Sequence, residues 1–163
     1  MLLRRMPWLA VAAFHVWRLR RPKFSAGAVG VIFNTAGEVL LVEHVFHPQN
    51  PWGLPGGWVE RNEDPSVTIQ REIQEELGLT VEVGPVLLTR MDRFNHLDFA
   101  FLCQTPNAQP ATISALSSEL LDYSWFDPRQ LPRLHSFHYR AIMRALESTS
   151  IGLDPRVLSW PQD

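Results

Sequence analysis

The stretch from Asp64 to Gly78 constrains the fold of this chain most, because both of its ends carry strong signals for the limits of a helix. Asp64 is a favourable N-cap and Pro65 is favoured at the first helical position, whereas Gly78 suits the left-handed position just after a helix. Between them, apolar residues recur at every fourth position: Ile69, Ile73 and Leu77. This spacing predicts a helix of about 13 residues that packs one apolar stripe against a core.

Three glutamates project from another face of this predicted helix. At about 100° per residue, Glu72, Glu75 and Glu76 share a patch about 100° wide. Like charges at these spacings repel and weaken a helix unless something cationic lies among them. No Cys or His joins the cluster, and oxygen-only ligands suit hard divalent cations. The pattern therefore predicts a site for Mg²⁺ or Mn²⁺, the alternative being an ordinary solvated acidic face.

Two glycines stand upstream of this acidic helix, in the run Leu54-Pro55-Gly56-Gly57. Residues without side chains let a phosphate and a metal approach the backbone closely, so the Gly56 carbonyl is a candidate metal ligand and Gly57 a candidate substrate contact. The complete pattern comprises Gly57, Glu63, Arg71, Glu72, Ile73, Glu75, Glu76, Gly78 and Leu79. In these residues and their spacing the chain resembles the Nudix hydrolases, and the match to their signature box is complete.

This resemblance implies a fold and a role for two further residues. The implied fold is of the α/β class, an α/β/α sandwich with a mixed β-sheet between helices, over about residues 26–146. Arg71 is implied to pair with Glu63 and to hold the loop against the helix, since a planar guanidinium grips a carboxylate in fixed geometry. Both residues would set the geometry of catalysis without transferring a proton. An exposed helix residue is the alternative for Arg71.

Length and composition indicate one domain. A chain of 163 residues with 45% hydrophobic residues is long enough for one sizeable core and too short for two. We expect an N-terminal helical extension at 1–25, the hydrolase domain at 26–148 and a tail at 149–163. Cys103 is the only cysteine, which excludes an internal disulfide, and its apolar neighbours predict a buried strand. A reducing cytoplasm is the expected location.

The first 23 residues differ in charge from the rest of the chain. Six cations precede the first acid, Glu38, which leaves nine cations against seventeen acids, a net charge of −8, for the remainder. Between these cations lies an apolar stretch, residues 8–17, of about half the length that a bilayer requires. We expect a helix that covers a surface of the domain or of a second copy in a homodimer, with peripheral contact to an anionic membrane as the alternative. The arginines after the stretch disfavour a signal peptide.

Alternating and apolar runs predict the remaining elements. A hairpin is expected from strands at 28–33 and 39–42 about a turn at 34–37. Further strands are expected at 80–89, 96–103 and 123–126, a surface loop at 104–114 and a second helix at 134–146.

A fourth acid is expected on a neighbouring loop, because phosphoryl chemistry with two or more cations needs more ligands than one helix face offers. Glu119 is the candidate, since it precedes the pair Trp125-Phe126 as the acidic loop of many Nudix enzymes precedes a similar strand. Asp122 is a weaker candidate. Glu119 and Glu72 compete for the role of general base.

Substrate contacts are expected around the Pro-rich loop before the glycines. Phe46 and Trp52 flank this loop, where an aromatic ring can stack on a nucleobase. Arg93 is a candidate phosphate contact, together with Arg90 and His96. His135 and His138 lack a third metal ligand, so we assign them structural roles.

These patterns favour a divalent-metal-dependent pyrophosphohydrolase that cleaves a nucleoside diphosphate linked to another moiety X. X includes nucleotide sugars, CDP-alcohols, ADP-ribose-like compounds and (d)NTPs. Removal of a 5′ cap or pyrophosphate from RNA is an alternative, although a net charge of −8 disfavours long nucleic acids as partners. A catalytically silent nucleotide sensor is a second alternative, disfavoured because every acid of the box is present. The chain lacks the proline that many ADP-ribose hydrolases have about 15 residues past the box, and the tyrosine typical of many dinucleoside polyphosphate hydrolases, so the substrate is left open.

Overall fold

The computed structural model describes residues 23–45, 49–106 and 113–150, together with Trp8, Val11 and residues 14–17. Its elements are β1 (Ser25–Ile32), β2 (Val39–His44), β3 (Trp52–Gly53), β4 (Gly56–Trp58), α1 (Pro65–Leu77), β5 (Glu82–Met91), β6 (His96–Gln104), β7 (Leu120–Phe126) and α2 (Ser136–Ser150). The structure does not describe Phe46, the tail at 151–163 or most of the N-terminal segment. The predictions made for these residues therefore lie outside the described ranges.

Helix α1 begins and ends at the predicted residues. Asp64 caps it by accepting a hydrogen bond from the backbone N–H of Ser66 at 2.8 Å, and Pro65 is its first residue. Gly78 follows in the left-handed conformation with φ of 60°, and its N–H donates to the carbonyl of Gln74 at 3.0 Å. The local signals therefore suffice to define this helix, as predicted.

Within the described residues, seven strands form two sheets. The first has the order β4-β1-β6-β5 and is mixed, because β1 runs parallel to β6 and antiparallel to β4. The second has the order β3-β2-β7 and is antiparallel. The chain turns back at 34–37 as predicted, but β1 and β2 share only the bridge between Phe33 and Val39. They separate into different sheets because β4 and β6 occupy both edges of β1.

The strands lie between the two helices, with a hydrophobic core on each side. Alternate residues of β1 face opposite cores: Ile32 packs with Ile69 and Ile73 of α1, whereas Val31 packs with Ile142 of α2. The strands β2 and β6 divide their residues in the same way. This alternation confirms the α/β/α sandwich. Cys103 is buried on β6, as predicted.

Sequence patterns missed the strands β3 and β4, which are two and three residues long. They lie in a stretch rich in glycine and proline, and only pairing with β2 and β1 makes them strands. The other differences concern the limits of the elements. The strands β1, β2 and β5 were predicted at 28–33, 39–42 and 80–89, and β7 begins at Leu120 rather than at 123. Helix α2 spans Ser136–Ser150 rather than 134–146.

The described residues of the N-terminal segment are helical and exposed. Trp8, Val11 and Phe14 are each more than half exposed. Within the described part of the molecule, every helix is too short or too polar to cross a membrane.

Candidate active site

The two glycines of β4 bring backbone directly against α1. Pairing with β1 places Gly56 opposite Val29 and Gly57 opposite Ala28. Gly56 has φ of 144°, and a Cβ there would meet the carbonyl oxygen of Ala28. A Cβ on Gly57 would meet the carboxylate of Glu72. Both positions therefore require glycine, the first for its conformation and the second because an acidic side chain occupies the space.

Arg71 joins the loop before α1 to the acidic face of the helix. Its Nε and Nη2 donate to the two carboxylate oxygens of Glu63 at 2.9 and 3.0 Å, and Nη1 donates to Oε1 of Glu72 at 2.9 Å. The guanidinium lowers the pKa of Glu63 to about 2, and the backbone N–H of Glu60 assists. The ion pair implied by the Nudix resemblance is thus present, and it fixes the loop beside the helix.

Glu76 and Glu72 are the acids of α1 that protein surrounds most. Glu76 is only 8% exposed, and its Oε2 accepts a hydrogen bond from the N–H of Gly56 at 3.2 Å. Burial raises the pKa of Glu76 to about 8, and repulsion from Glu72 and Glu119 acts in the same direction. Burial also raises the pKa of Glu72, although Arg71 opposes it. Both carboxylates would be stabilised by an added positive charge.

Glu119 reaches this cluster because its turn is docked on α1. The N–H of Ser117 donates to the carbonyl of Glu76, in the last turn of the helix, at 2.9 Å. The Glu119 carboxylate is close enough to contribute to the raised pKa of Glu76. Asp122 lies further along, exposed on β7, and accepts a hydrogen bond from the N–H of Tyr123 at 2.8 Å. Glu119, rather than Asp122, therefore lies within electrostatic range of the acids of the helix.

The donors gathered here suit a hard divalent cation. They are all oxygen atoms, from the Gly56 carbonyl and four carboxylates: Glu72, Glu75, Glu76 and Glu119. Glu76 is a buried carboxylate that no cationic side chain of the described residues contacts. In the described ranges, no three His, Cys, Asp or Glu side chains already converge as a metal site requires. Ligation therefore requires the glutamates to turn away from their present partners.

The glycine strand also lines a cleft of about 590 Å³. Gly56, Gly57 and Trp52 line it, and the Trp52 ring packs edge-on against Phe126 at 5.0 Å between centroids. Arg93 does not line it: this residue lies in the exposed turn between β5 and β6, with its guanidinium 4.8 Å from the ring of Phe94.

The assignment of this chain to a family rests on the whole domain as well as on the site. The family model described as the NUDIX domain matches residues 23–146, more than half of the chain. This chain belongs to the Nudix family. The family comprises hydrolases that act on pyrophosphate bonds of nucleotide-derived small molecules, typically with divalent cations.

Among Nudix relatives, the 8-oxo-dGDP phosphatase NUDT18 of Danio rerio is 31% identical over 98 residues, which cover 60% of this chain and 30% of that protein. A MutT-like protein of Streptomyces ambofaciens is 27% identical over 140 residues, covering 85% of this chain and 84% of its own. An ADP-ribose pyrophosphatase structure from Streptococcus suis matches with a TM-score of 0.63 and 22% identity, over 78% of this chain and 92% of that one. The structural match shows a shared Nudix fold.

Several lining residues of the Nudix cleft escaped sequence reasoning. Trp58 and Asp98 were not singled out, and Arg90 and His96 received no more weight than Arg93. The sequence shows that His96 and Asp98 share one face of a predicted strand, whereas the register that sets Arg90 opposite Asp98 comes from the structure.

His138 has the structural contact expected of it, although it also lines the cleft. Its Nδ1 accepts a hydrogen bond from the N–H of Leu54 at 3.1 Å, which links α2 to the start of the glycine loop. Burial lowers the pKa of His138 to about 4, so the ring is neutral near pH 7.

Proposed function

We propose that this Nudix protein is a divalent-metal-dependent pyrophosphohydrolase. Its substrate is a nucleoside diphosphate linked to another moiety, and its products are a nucleoside monophosphate and the phosphorylated moiety, or pyrophosphate from a (d)NTP. One observation carries the proposal: Glu72, Glu76 and Glu119 influence one another electrostatically beside a glycine strand that also lines a cleft of about 590 Å³.

The cation would be held by the Gly56 carbonyl and by the carboxylates of Glu72, Glu75, Glu76 and Glu119. When bound, it would neutralise charge that develops on the diphosphate and lower the pKa of a water molecule. Mg²⁺ and Mn²⁺ both suit this oxygen donor set.

The protein supplies the geometry around this chemistry. Arg71 and Glu63 hold the loop against the helix, and Gly57 leaves room for the Glu72 carboxylate against the strand backbone. Glu119 is the better candidate for the general base, because Oε1 of Glu72 already accepts a hydrogen bond from Arg71 at 2.9 Å.

The proposed range of substrates stays broad. The names of two relatives, an 8-oxo-dGDP phosphatase and an ADP-ribose pyrophosphatase, both describe nucleotides with a pyrophosphate bond. These names support cleavage of a pyrophosphate bond, and they say less about the moiety that is attached. The match covers 30% of NUDT18, so the substrate of that protein can only be proposed for this chain.

A substrate screen tests the proposed function. The intact chain with Mg²⁺ or Mn²⁺ is incubated with nucleotide sugars, CDP-alcohols, ADP-ribose, dinucleoside polyphosphates and (d)NTPs, and products are identified by mass. We expect a nucleoside monophosphate from at least one of these compounds, and loss of turnover after chelation. Full activity in the chelator, or no cleavage of any pyrophosphate bond, would contradict the proposal.

We further propose a cytoplasmic protein whose N-terminal segment contacts anionic membranes. The exposed apolar residues Trp8, Val11 and Phe14 lie within a stretch flanked by six cations. Apolar side chains enter the boundary of the headgroups, and cations beside them attract anionic lipid.

A further inference from the structure

The cleft extends from the glycine strand across β1 to β6 and β5 of the same sheet, and these last two strands form one of its walls. Asp98 lies at the centre of this wall, and Oδ2 of Asp98 accepts from Nε and Nη2 of Arg90 at 3.0 and 2.6 Å. Oδ1 of Asp98 lies 3.2 Å from Nε2 of His96, and Nδ1 of His96 lies 2.8 Å from the hydroxyl of Ser25. The whole row is thereby held in one arrangement, as specific recognition requires.

The Arg90 guanidinium keeps hydrogen-bond donors for a ligand. It has five N–H groups, of which Asp98 takes two, and Nη1 has a long contact of 3.5 Å with His135. One N–H therefore remains on each terminal nitrogen without a partner in the described part of the chain. Because Arg90 lines the cleft, this pair of donors is available to a ligand there.

An aromatic surface adjoins these donors. The Trp58 ring packs on His96 with 4.7 Å between centroids and a tilt of 58°. Trp58 is 65% exposed and lines the cleft, so most of its ring is available for stacking. Nucleobases stack on aromatic rings whatever their identity.

Asn50 adds a hydrogen-bond acceptor to the same cleft. Its Oδ1 is buried and has no donor within the described residues. A buried acceptor without a donor is unfavourable, so a ligand N–H would stabilise it. The cleft thus offers a ring for stacking, a pair of donors and an unused acceptor.

This combination fits a base edge better than a phosphate. Asp98 already neutralises the Arg90 guanidinium, so the residue contributes directed hydrogen bonds more than net charge. Two neighbouring N–H donors match two neighbouring acceptors, which guanine offers at O6 and N7. Cytosine offers such a pair at O2 and N3, whereas adenine and uracil interleave donors with acceptors.

We propose that Trp58 stacks the nucleobase of the substrate and that Arg90 selects guanine or cytosine over adenine and uracil. This inference rests on the proposed function and adds the specificity-determining residue. It also separates this chain from a protein that prefers 8-oxoguanine, because that base carries a hydrogen on N7 and loses the acceptor pair.

The test is binding of nucleoside monophosphates to the intact chain with Mg²⁺, measured by calorimetry. We expect GMP and CMP to bind about 10-fold more tightly than AMP, UMP and 8-oxo-GMP, because one bidentate pair of hydrogen bonds discriminates between bases by about this factor. Arg90→Lys, which keeps the charge beside Asp98, should reduce this preference to about 2-fold. Trp58→Leu should weaken all nucleotides alike and leave the preference unchanged.

Arg129→Lys is the matched control, because Arg129 forms the same kind of pair with Asp127 at 2.7 Å but is exposed and outside the cleft. It should leave both affinity and preference unchanged. Equal binding of all bases, tighter binding of AMP, UMP or 8-oxo-GMP, or equal losses for every base in Arg90→Lys would overturn the inference. Binding of ribose 5-phosphate as tightly as GMP would also overturn it, since the wall would then hold a phosphate. These outcomes leave the proposed function intact wherever the substrate screen detects hydrolysis.

Discussion

At the scale of single residues, the acidic site opposes the stability of the metal-free fold. Glu76 is nearly enclosed by protein, and its neighbours Glu72 and Glu119 carry the same charge. Its pKa rises from an ordinary value of 4.5 to about 8 for these reasons. An acid with a raised pKa stabilises the fold below its unfolded value, and this contribution is lost as the pH rises through the folded value.

Glu76→Gln should therefore stabilise the chelator-treated protein at pH 8 and have little effect at pH 5, where Glu76 is protonated. Melting temperature measures this, and each 1 kcal/mol corresponds to ~2–4 °C in a domain of this size. Mg²⁺ should raise the melting temperature of the unaltered chain at pH 8 but not that of the variant. The same variant should lose about 100-fold or more in kcat. An unchanged melting temperature at both pH values would show that Glu76 carries no such penalty.

At the scale of elements, the turn before β7 decides which acids meet. It is docked on the end of α1, where the carbonyls of Glu76 and Leu77 accept from the N–H groups of Ser117 and Ser114 at 2.9 and 3.1 Å. These bonds satisfy carbonyls that the helix itself leaves open. They also bring Glu119 within electrostatic range of α1.

Glu119→Gln should consequently lower kcat by about 100-fold, the contribution typical of a general base, with little change in KM. Asp122→Asn is the matched control, because it removes an equal charge from the same segment but from an exposed strand position. It should change kcat little. If Asp122→Asn lowers kcat more than Glu119→Gln does, the catalytic acid of this segment is Asp122 rather than Glu119.

At the scale of the whole molecule, the N-terminal segment differs from the remainder of the chain in its charge. The first 23 residues carry six cations, and the remainder has a net charge of −8. The described residues of the N-terminal segment are exposed, among them Trp8, Val11 and Phe14. Such apolar surface in water requires a partner surface.

Truncation to begin at Lys23 tests which surface this is. Membrane contact predicts that the shortened chain keeps its melting temperature, mass and activity but no longer co-sediments with vesicles containing anionic lipid. Added salt should release the intact chain from the same vesicles, because it screens the cations. A lower melting temperature or a smaller mass in solution would instead indicate a helix that covers this domain or a second copy.

The sequence by itself determined the parts that local chemistry governs. The limits of α1 follow from Asp64, Pro65 and Gly78, whose preferences act within one turn of the helix. The shared face of Glu72, Glu75 and Glu76 follows from the helical period alone. The α/β/α layering could also be predicted, because the complete signature box carries the family resemblance that implies this fold.

Only the tertiary structure decided which distant residues meet. The strands β3 and β4 are too short to have a period of their own, and pairing with β2 and β1 creates them. The cleft wall depends on the antiparallel register that sets Arg90 opposite Asp98, and Trp58 joins it because β4 lies beside β1. Contacts between residues far apart in the chain depend on which edges of a sheet are free. No local pattern encodes that, so Arg93 and Arg90 were equivalent in the sequence and differ in the fold.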